Sequence, residues 1–282
     1  MRRSLLSVAL LAAIGMLLLV LWRNAGSDVD SLEDIMHRHG LTAVEIAYGH
    51  SGEQPRVRTV NAKVDMVRPL YSLAKPITAA AALRVLDLDQ KIEGATVRQL
   101  LQHRGGWDRA VAGDPVTRLT SGKDCTMLAV PEKQFRPGAR YAYSNLGYCL
   151  VGRAIAEKTG KSFRDSVADL FPETGDMDFD PALGPAGGWS GTARQYYRFA
   201  SRPLPQGTGR DALSRPNDIP YGLGWAIGPD FATHYGALRS GFSIVVKQGD
   251  FVAVGVFDGR PKNDVAASRE IRAALLRWNA EK

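Results

Sequence analysis

Residues that bind metals are scarce in this sequence, which has 2 cysteines and 5 histidines among 282 residues. The histidines form no H-E-x-x-H or similar pattern, so a catalytic zinc site is not expected. His37 and His39 lie close together, but no third ligand stands at a spacing that would complete a metal site. The sequence therefore predicts a protein without a metal centre.

Two further function classes are disfavoured by what the chain lacks. Its net charge is +7, from 36 basic and 29 acidic residues. The basic residues are scattered instead of clustered among aromatic ones, which argues against a nucleic-acid partner. The G-x-S-x-G turn of α/β-hydrolases is also missing, because the serine at 190 is followed two positions later by Thr192 instead of glycine.

The N-terminus carries a long run without charge. Residues 4–22 are 19 consecutive uncharged residues, preceded by Arg2 and Arg3. A run of this length favours a membrane anchor over a cleaved signal, whose apolar region is shorter and ends at a small-x-small site. We expect residues 1–24 to be a membrane anchor or signal sequence. The positive-inside bias then places a domain of residues 25–282 on the periplasmic, extracytoplasmic side.

The pattern of the remaining chain predicts strands at both ends and helices between them. Such an order is typical of an α+β fold in which an antiparallel sheet, built from both chain ends and flanked by helices, carries a mostly helical middle lobe. The predicted strands are 41–48, 56–60, 221–227, 243–247 and 251–257, and the predicted helices are 31–39, 72–88, 97–103, 145–159, 163–171, 192–201 and 264–280.

Cys125 and Cys149 allow only one disulfide pairing. Both would lie outside the cytoplasm on this topology, where disulfides persist. Two separate buried thiols are the alternative, and the residues alone do not decide between them. We predict a bridge, which would tie the irregular segment 107–141 to the helix that begins at Asn145.

Ser72 and Lys75 form an S-x-x-K pair at the start of an alanine-rich helix. Three residues apart, their side chains share one face of that helix. A serine hydroxyl needs a nearby base before it can act as a nucleophile, and a buried lysine with a lowered pKa can supply that base. The pair is common by chance, so the interpretation depends on finding partners for Ser72.

Two later motifs offer those partners. Tyr143 and Asn145 precede or open a helix, where the phenol could shuttle a proton and the amide could hold Lys75 and a substrate carbonyl. The second motif lies near the edge of the predicted C-terminal strands. There Gly236, which follows His234, lets a substrate backbone approach closely, and the next amide, that of Ala237, can donate to an oxyanion.

The order S-x-x-K, Y-x-N, H-x-G resembles that of the serine penicillin-recognising family, which includes class C β-lactamases, D-alanyl-D-alanine carboxypeptidases and related esterases. Longer segments share the resemblance, namely RPLYSLAKPITAAA (68–81), VRQLLQHRGG (97–106) and YSNLGYCLVG (143–152). It implies a β-lactamase/transpeptidase-like fold, a Ser72 acyl-enzyme served by Lys75 and Tyr143, an oxyanion site at the amides of Ser72 and Ala237, and no metal or organic cofactor.

One departure from the family bears on the substrate. His234-Tyr235-Gly236 stands where class C β-lactamases carry Lys-Thr-Gly, and a neutral histidine is a poorer anchor for a carboxylate than lysine. Arg239 is a candidate replacement for that anchor. We therefore rank peptidase or esterase activity on a D-alanyl peptide or small ester above β-lactam hydrolysis.

Two wider expectations accompany this ranking. A non-catalytic wall-binding or sensory module on the same fold is the rival. The expected partners are a small-molecule or peptide substrate, with peptidoglycan among the candidates, and the membrane through residues 4–22.

Overall fold

The computed structural model describes residues 30–209, 212–215 and 218–280. The predicted anchor at residues 1–24 lies outside these ranges. Within them, no helix combines the length and the apolar character that crossing a bilayer requires.

An antiparallel sheet joins the two ends of the described chain. Its strand order is β2-β1-β13-β12-β11-β10-β9-β8. The first strand pairs with the last along its whole length, from Ala43 opposite Asp258 to His50 opposite Phe251. The strands are β1 Ala43–His50, β2 Arg56–Val60, β8 Leu213–Arg215, β9 Asp218–Tyr221, β10 Ala226–Ile227, β11 Ala232–Leu238, β12 Gly241–Gln248 and β13 Phe251–Asp258.

Helices and short strands fill the chain between β2 and β8, and one helix lies at each end of the described chain. The helices are α1 Leu32–His39, α2 Ala74–Val85, α3 Val97–Leu101, α4 Arg109–Ala112, α5 Asn145–Thr159, α6 Phe163–Leu170, α7 Gly184–Gly187, α8 Ala193–Ala200 and α9 Asp264–Ala280. The short strands are β3 Arg68–Pro69, β4 Lys91–Ile92, β5 Ala95–Thr96, β6 Asp178–Phe179 and β7 Trp189–Gly191. The predicted α+β architecture is confirmed.

The two faces of the sheet are covered by different helices. On one face, α1 and α9 pack against alternate residues of β12 and β13, such as Ile244 and Val246. On the other face, Val245 and Val254 join a larger core with α2, α5 and α8. Burial on both faces explains the long apolar runs of the central strands. The site described below lies where β11 meets the start of α2.

Local capping sets the bounds of the longest helix of the middle lobe, α5. The side chain of Ser144 accepts a hydrogen bond from the Gly147 amide. Gly160 ends the helix in a left-handed conformation, with a φ of 69°. Cys149 of this helix is bonded to Cys125, with their Cα atoms 5.6 Å apart. The predicted disulfide is therefore present and ties the irregular segment to α5.

Three predicted elements differ from the structure. The helix containing Ser72 ends at Val85 instead of residue 88, because Leu86 is extended. The predicted strand 221–227 is interrupted between β9 and β10 by Gly224, which has a φ of 78° and passes so close to Ala79 that a Cβ there would lie 2.5 Å from the Ala79 Cβ. The motif at 234–237 lies within β11, where no strand is predicted from the sequence; it pairs with β12, and β11 pairs with β10 at Ala232 and Thr233, before the motif begins.

Candidate active site

Ser72 lies in a tight 3₁₀ turn, Tyr71–Leu73, that precedes helix α2. The sequence predicted that Ser72 opens the α-helix itself. Tyr71 has a φ of 48°, which is outside the helical region, so the regular helix begins only at Ala74. The turn is fixed from behind, because the Tyr196 hydroxyl donates to the carbonyl oxygen of Leu73 at 2.8 Å.

Lys75 is completely buried one turn after Ser72. Its Nζ donates to Ser72 Oγ at 3.1 Å, to Asn145 Oδ1 at 2.7 Å and to the Ala186 carbonyl at 2.7 Å. Burial lowers the pKa of Lys75 well below its ordinary value; the nearby Arg109 cation lowers it further, while the Asp114 carboxylate opposes the shift. A lysine in this environment can exist as the neutral amine that a general base must be.

The hydroxyl of Tyr143 lies 2.7 Å from Ser72 Oγ. The Tyr143 ring stacks on His103, with centroids 4.2 Å apart. The imidazole also accepts a hydrogen bond at Nδ1 from the Ser144 amide at 3.2 Å. His103 thus supports the Y-x-N segment from behind and makes the contacts of a structural residue.

Strand β11 passes so close to the serine turn that residue 236 must be glycine. A Cβ built on Gly236 would lie 2.6 Å from the Leu70 carbonyl oxygen and 2.7 Å from the Ser72 amide nitrogen. Ser243, the residue opposite Gly236 on β12, donates to the same Leu70 carbonyl at 2.6 Å. The strand backbone and the serine turn are therefore in direct contact.

The register of β11 indicates where the Ala237 amide points. Leu238 and Gly241 close a two-residue turn onto β12. In an antiparallel pair, hydrogen-bonded positions alternate along the strand, and the pair that closes such a turn is hydrogen-bonded. The N–H of Ala237 therefore points away from β12 and towards the side on which Ser72 lies.

His234 is buried, with 5 % of its surface exposed. Its Nδ1 lies 2.9 Å from the carbonyl oxygen of Tyr235, and its Nε2 lies 2.9 Å from the hydroxyl of Tyr221. A carbonyl only accepts, so Nδ1 carries a proton and donates to it, while Nε2 and the Tyr221 hydroxyl share a hydrogen bond. The imidazole is thus held between strands, while Arg239 lies exposed in the turn between β11 and β12.

A cleft of about 180 Å³ opens above Ser72. Three charged residues on its walls were not identified from the sequence, namely Arg109 on α4 and Asp264 and Arg272 on α9. Asp264 and Arg272 each lie four residues from Ser268, which also lines the cleft, so all three share one face of α9. This spacing is visible in the sequence, but nothing in the sequence indicates that the face lies next to Ser72. The other lining residues include Tyr141, Tyr143, Ile219, Tyr221, Ala226, Thr233, His234, Tyr235 and Ala237.

The structure brings the predicted site residues together from three separate parts of the chain. Ser72 and Lys75 come from the start of α2, Tyr143 and Asn145 from the start of α5, and 234–237 from β11. Within the described ranges, no group of three His, Cys, Asp or Glu side chains is arranged to hold a metal ion.

Residues 32–174 match the family model described as Beta-lactamase, and the chain belongs to this family. The resemblance inferred from the three motifs is thereby confirmed. Membership in the family supports hydrolase chemistry in general terms and leaves the substrate open.

Two curated relatives are fimbrial assembly proteins of Dichelobacter nodosus. The probable FimD of serogroup H1 is 32% identical over 87 residues, which are 29% of this chain and 22% of that protein. The putative FimD of serogroup D is 31% identical over the same length. The match thus spans about a fifth of each relative.

Several solved structures share the fold. A D-amino acid amidase from Ochrobactrum anthropi SV3 in complex with D-phenylalanine superposes with a TM-score of 0.73 at 18% identity, covering 89% of this chain and 97% of that one. A β-lactamase/D-alanine carboxypeptidase from Yersinia pestis in complex with citrate gives 0.69 at 14%, covering 89% and 96%. SurE with D-Leu gives 0.69 at 20%, covering 88% and 73%. At these identities the likeness concerns the fold alone, and it confirms the predicted β-lactamase/transpeptidase-like architecture.

Proposed function

We propose that this protein is a serine hydrolase that cleaves an amide or ester, a D-alanyl peptide or small ester, through an acyl-enzyme on Ser72. One observation carries the proposal. The Ser72 hydroxyl lies within hydrogen-bond distance of both a buried amine and a phenol, Lys75 at 3.1 Å and Tyr143 at 2.7 Å. Two proton-transfer groups at one serine are the arrangement that an activated nucleophile needs.

The reaction follows from this geometry. Ser72 Oγ attacks the carbonyl carbon while its proton passes to the neutral Lys75 or through the Tyr143 hydroxyl. The carbonyl oxygen becomes an oxyanion, which the amides of Ser72 and Ala237 stabilise. The tetrahedral intermediate then expels the amine or alcohol, which takes up the transferred proton. Water, activated by the same groups, cleaves the acyl-enzyme and releases the acid.

The cleft favours a small acyl donor whose side chain is either aromatic or polar. Its volume of about 180 Å³ is modest, and Tyr141, Tyr221 and Tyr235 contribute to its walls. The solved structures with D-phenylalanine or D-Leu bound support, as an analogy of fold, a D-configured acyl group. β-Lactam hydrolysis is the second candidate, and it is weaker because buried His234 occupies the position of the family's lysine.

A non-catalytic binding module is the rival from another class. Such a protein would have no use for a completely buried lysine, because desolvating an amine costs stability without improving ligand binding. The Lys75–Ser72–Tyr143 cluster therefore argues for catalysis over binding alone.

A substrate panel with matched variants tests the proposal. Purified protein is assayed on a D-alanyl-D-alanine peptide, D- and L-alanyl esters and a fluorescent penicillin. We expect turnover of a D-alanyl substrate to be lost in Ser72→Ala and to fall by at least about a hundredfold in Lys75→Ala and Tyr143→Phe, the scale for losing a general acid–base group. Ser121→Ala, an exposed serine, is the control. No reaction with any substrate or with a fluorophosphonate probe would contradict the proposal.

The cellular location follows from the N-terminal sequence. We infer an extracytoplasmic domain held at the membrane by residues 4–22, because that run is uncharged and lacks a cleavage site. The full-length protein should then remain in the membrane fraction after a carbonate wash. A released protein that begins near residue 25 would show that the segment is a signal peptide.

A further inference from the structure

The segment between α3 and α5 brings two opposite charges to the site, Arg109 and Asp114. We infer that Asp114 fixes the orientation of Asn145, and that Arg109 and Asp114 act as opposing charged positioning residues for Lys75, the base of the site. The inference rests on the proposed function, because it concerns how the Ser72 site is kept ready for acylation.

Asp114 holds the Asn145 amide from the side away from Lys75. Its Oδ2 accepts from Asn145 Nδ2 at 2.5 Å, and its Oδ1 accepts from the Val116 amide at 3.1 Å. A carboxylate only accepts hydrogen bonds, so the amide must present its NH₂ group to Asp114. The Asn145 oxygen is then directed at Lys75 Nζ, 2.7 Å away.

Asp114 does this without lining the catalytic cleft. It borders a neighbouring cavity of about 110 Å³, together with Asn145 and the loop that follows α4. Its route to the reaction therefore runs through Asn145 and Lys75, which makes it a positioning residue instead of a substrate ligand.

Arg109 approaches the same site from the cleft side. Its guanidinium carbon lies 4.2 Å from the centre of the Tyr143 ring, the usual geometry of a cation over an aromatic face. The local backbone is held in turn, since Asp108 accepts from the Ala110 amide at 2.8 Å and pairs with Arg140 at 3.0 Å. The Arg109 cation thus lies over the ring of Tyr143, and the hydroxyl of the same ring contacts Ser72 Oγ.

The two charges have opposite effects on the Lys75 ammonium. Burial is the largest cause of its lowered pKa; the Arg109 cation lowers the pKa further, and the Asp114 anion raises it. Removing either charge should therefore move the pH midpoint of the Ser72 reaction. Loss of Arg109 should move the midpoint to higher pH, and loss of Asp114 should move it to lower pH.

The other groups around Lys75 do not compete for this role in the neutral pH range. Burial holds the pKa of Tyr148 and of Tyr221 well above the ordinary value, so both phenols stay neutral. His103 accepts the Ser144 amide at Nδ1 and stacks on Tyr143. The groups that face Lys75, or pack against those that do, are Ser72, His103, Tyr141, Tyr143, Asn145, Tyr148, Tyr221, Arg109 and Asp114. Asp264 of α9 lies on the same cleft as Arg109, and burial raises the pKa of its carboxyl, which the Arg109 cation opposes.

The test measures the rate at which a neutral fluorophosphonate probe phosphonylates Ser72 between pH 5 and pH 9; the serine oxygen attacks phosphorus and fluoride leaves. A neutral probe removes direct attraction between Arg109 and the reagent. The serine must give its proton to the neutral amine, so the rate should rise with pH through the pKa of Lys75. Asp114→Asn keeps a hydrogen-bond acceptor but loses the charge, and its midpoint should move to lower pH by at least about half a unit. Arg109→Gln should move the midpoint to higher pH by a similar amount.

Two further variants separate charge from orientation. Arg109→Lys keeps the charge and should restore most of the wild-type midpoint. Asp114→Ala removes the acceptor as well as the charge, so its plateau rate should also fall, by about tenfold or more, because Asn145 is no longer held. Circular dichroism and thermal melting show that each variant is folded.

The outcomes distinguish this inference from the proposed function. Wild-type protein that is not labelled at any pH would contradict the proposed function. Normal labelling, with the midpoints of both Asp114→Asn and Arg109→Gln unchanged or moved in the same direction, would overturn this inference and leave the proposed function standing.

Discussion

Gly236→Ala tests whether contact between β11 and the serine turn is needed for catalysis. The new Cβ would lie 2.6 Å from the Leu70 carbonyl oxygen, 2.7 Å from the Ser72 amide nitrogen and 2.8 Å from Ser243 Oγ. Ordinary contacts of a Cβ begin near 3.4 Å, so strand and turn must separate by about 0.6 to 0.8 Å. Such a displacement would stretch the contacts of Ser72 with Lys75 and Tyr143.

The expected effect is larger on the reaction than on the fold. A misplacement approaching 1 Å costs about a hundredfold in rate, so acylation of Ser72 should fall by about that factor. Overpacking of this kind costs about 1–3 kcal/mol, which corresponds to a fall in melting temperature of roughly 3–10 °C for a domain of this size. The protein should therefore remain folded at 25 °C.

The assay compares stopped-flow or gel-based acylation rates with thermal melting for three proteins. Gly147→Ala is the matched control, because its new Cβ would meet nothing closer than the Leu100 carbonyl oxygen at 3.5 Å. It lies inside helix α5, where alanine is favoured over glycine, so it should keep wild-type activity and equal or greater stability. Gly236→Ala protein that is folded and acylated within about threefold of the wild-type rate would refute the reasoning.

Three further predictions concern stability and specificity. Reduction of the Cys125–Cys149 bridge, whose residues are 24 apart in sequence, should lower the free energy of unfolding by about 3 kcal/mol, and equal unfolding curves with and without dithiothreitol would contradict this. Lys247 is buried and donates to the carbonyls of Ala200 and Arg202, and burial lowers its pKa to about 8. The folded state therefore releases this proton near pH 8 and the unfolded state near pH 10.5. The free energy of unfolding should rise between pH 8 and pH 10 by up to about 2–3 kcal/mol. In urea melts, Lys247→Met should remove this dependence of stability on pH. Both ring nitrogens of His234 have protein partners, which indicates a scaffold residue, so KM for an anionic and for a neutral acyl donor should respond equally to a change from pH 8 to pH 6; tighter binding of the anionic donor alone at pH 6 would instead make His234 a substrate anchor.

The sequence predicted most of the site because its central spacing is local. Ser72 and Lys75 are three residues apart, so any helical turn places them side by side, and the alanine-rich run that follows favours such a turn. Tyr143 and Asn145 were found by their motif, at the start of a helix with a clear capping residue and a glycine stop. The order of strands and helices likewise followed from the apolar patterns.

The charges around the site could not be predicted in the same way. Arg109 and Asp114 lie in a segment without hydrophobic periodicity, and nothing local relates them to a lysine more than 30 positions earlier. The contacts of His234 depend on the pairing of β11 with its neighbours, which is a long-range property. The sequence predicts no strand over 232–238, because this segment has no long apolar run; its pairing with β12 makes it the strand β11.

Mass spectrometry of the intact protein during turnover tests the central claim most directly. The wild-type protein, mixed with a slow D-alanyl ester and quenched in acid, should gain the mass of one acyl group, and peptide mapping should locate it on Ser72. The adduct should disappear when the substrate is exhausted, and Ser72→Ala should never form it. An acyl group on another residue, or an adduct of unchanged yield in Ser72→Ala, would contradict the assignment of Ser72 as the nucleophile.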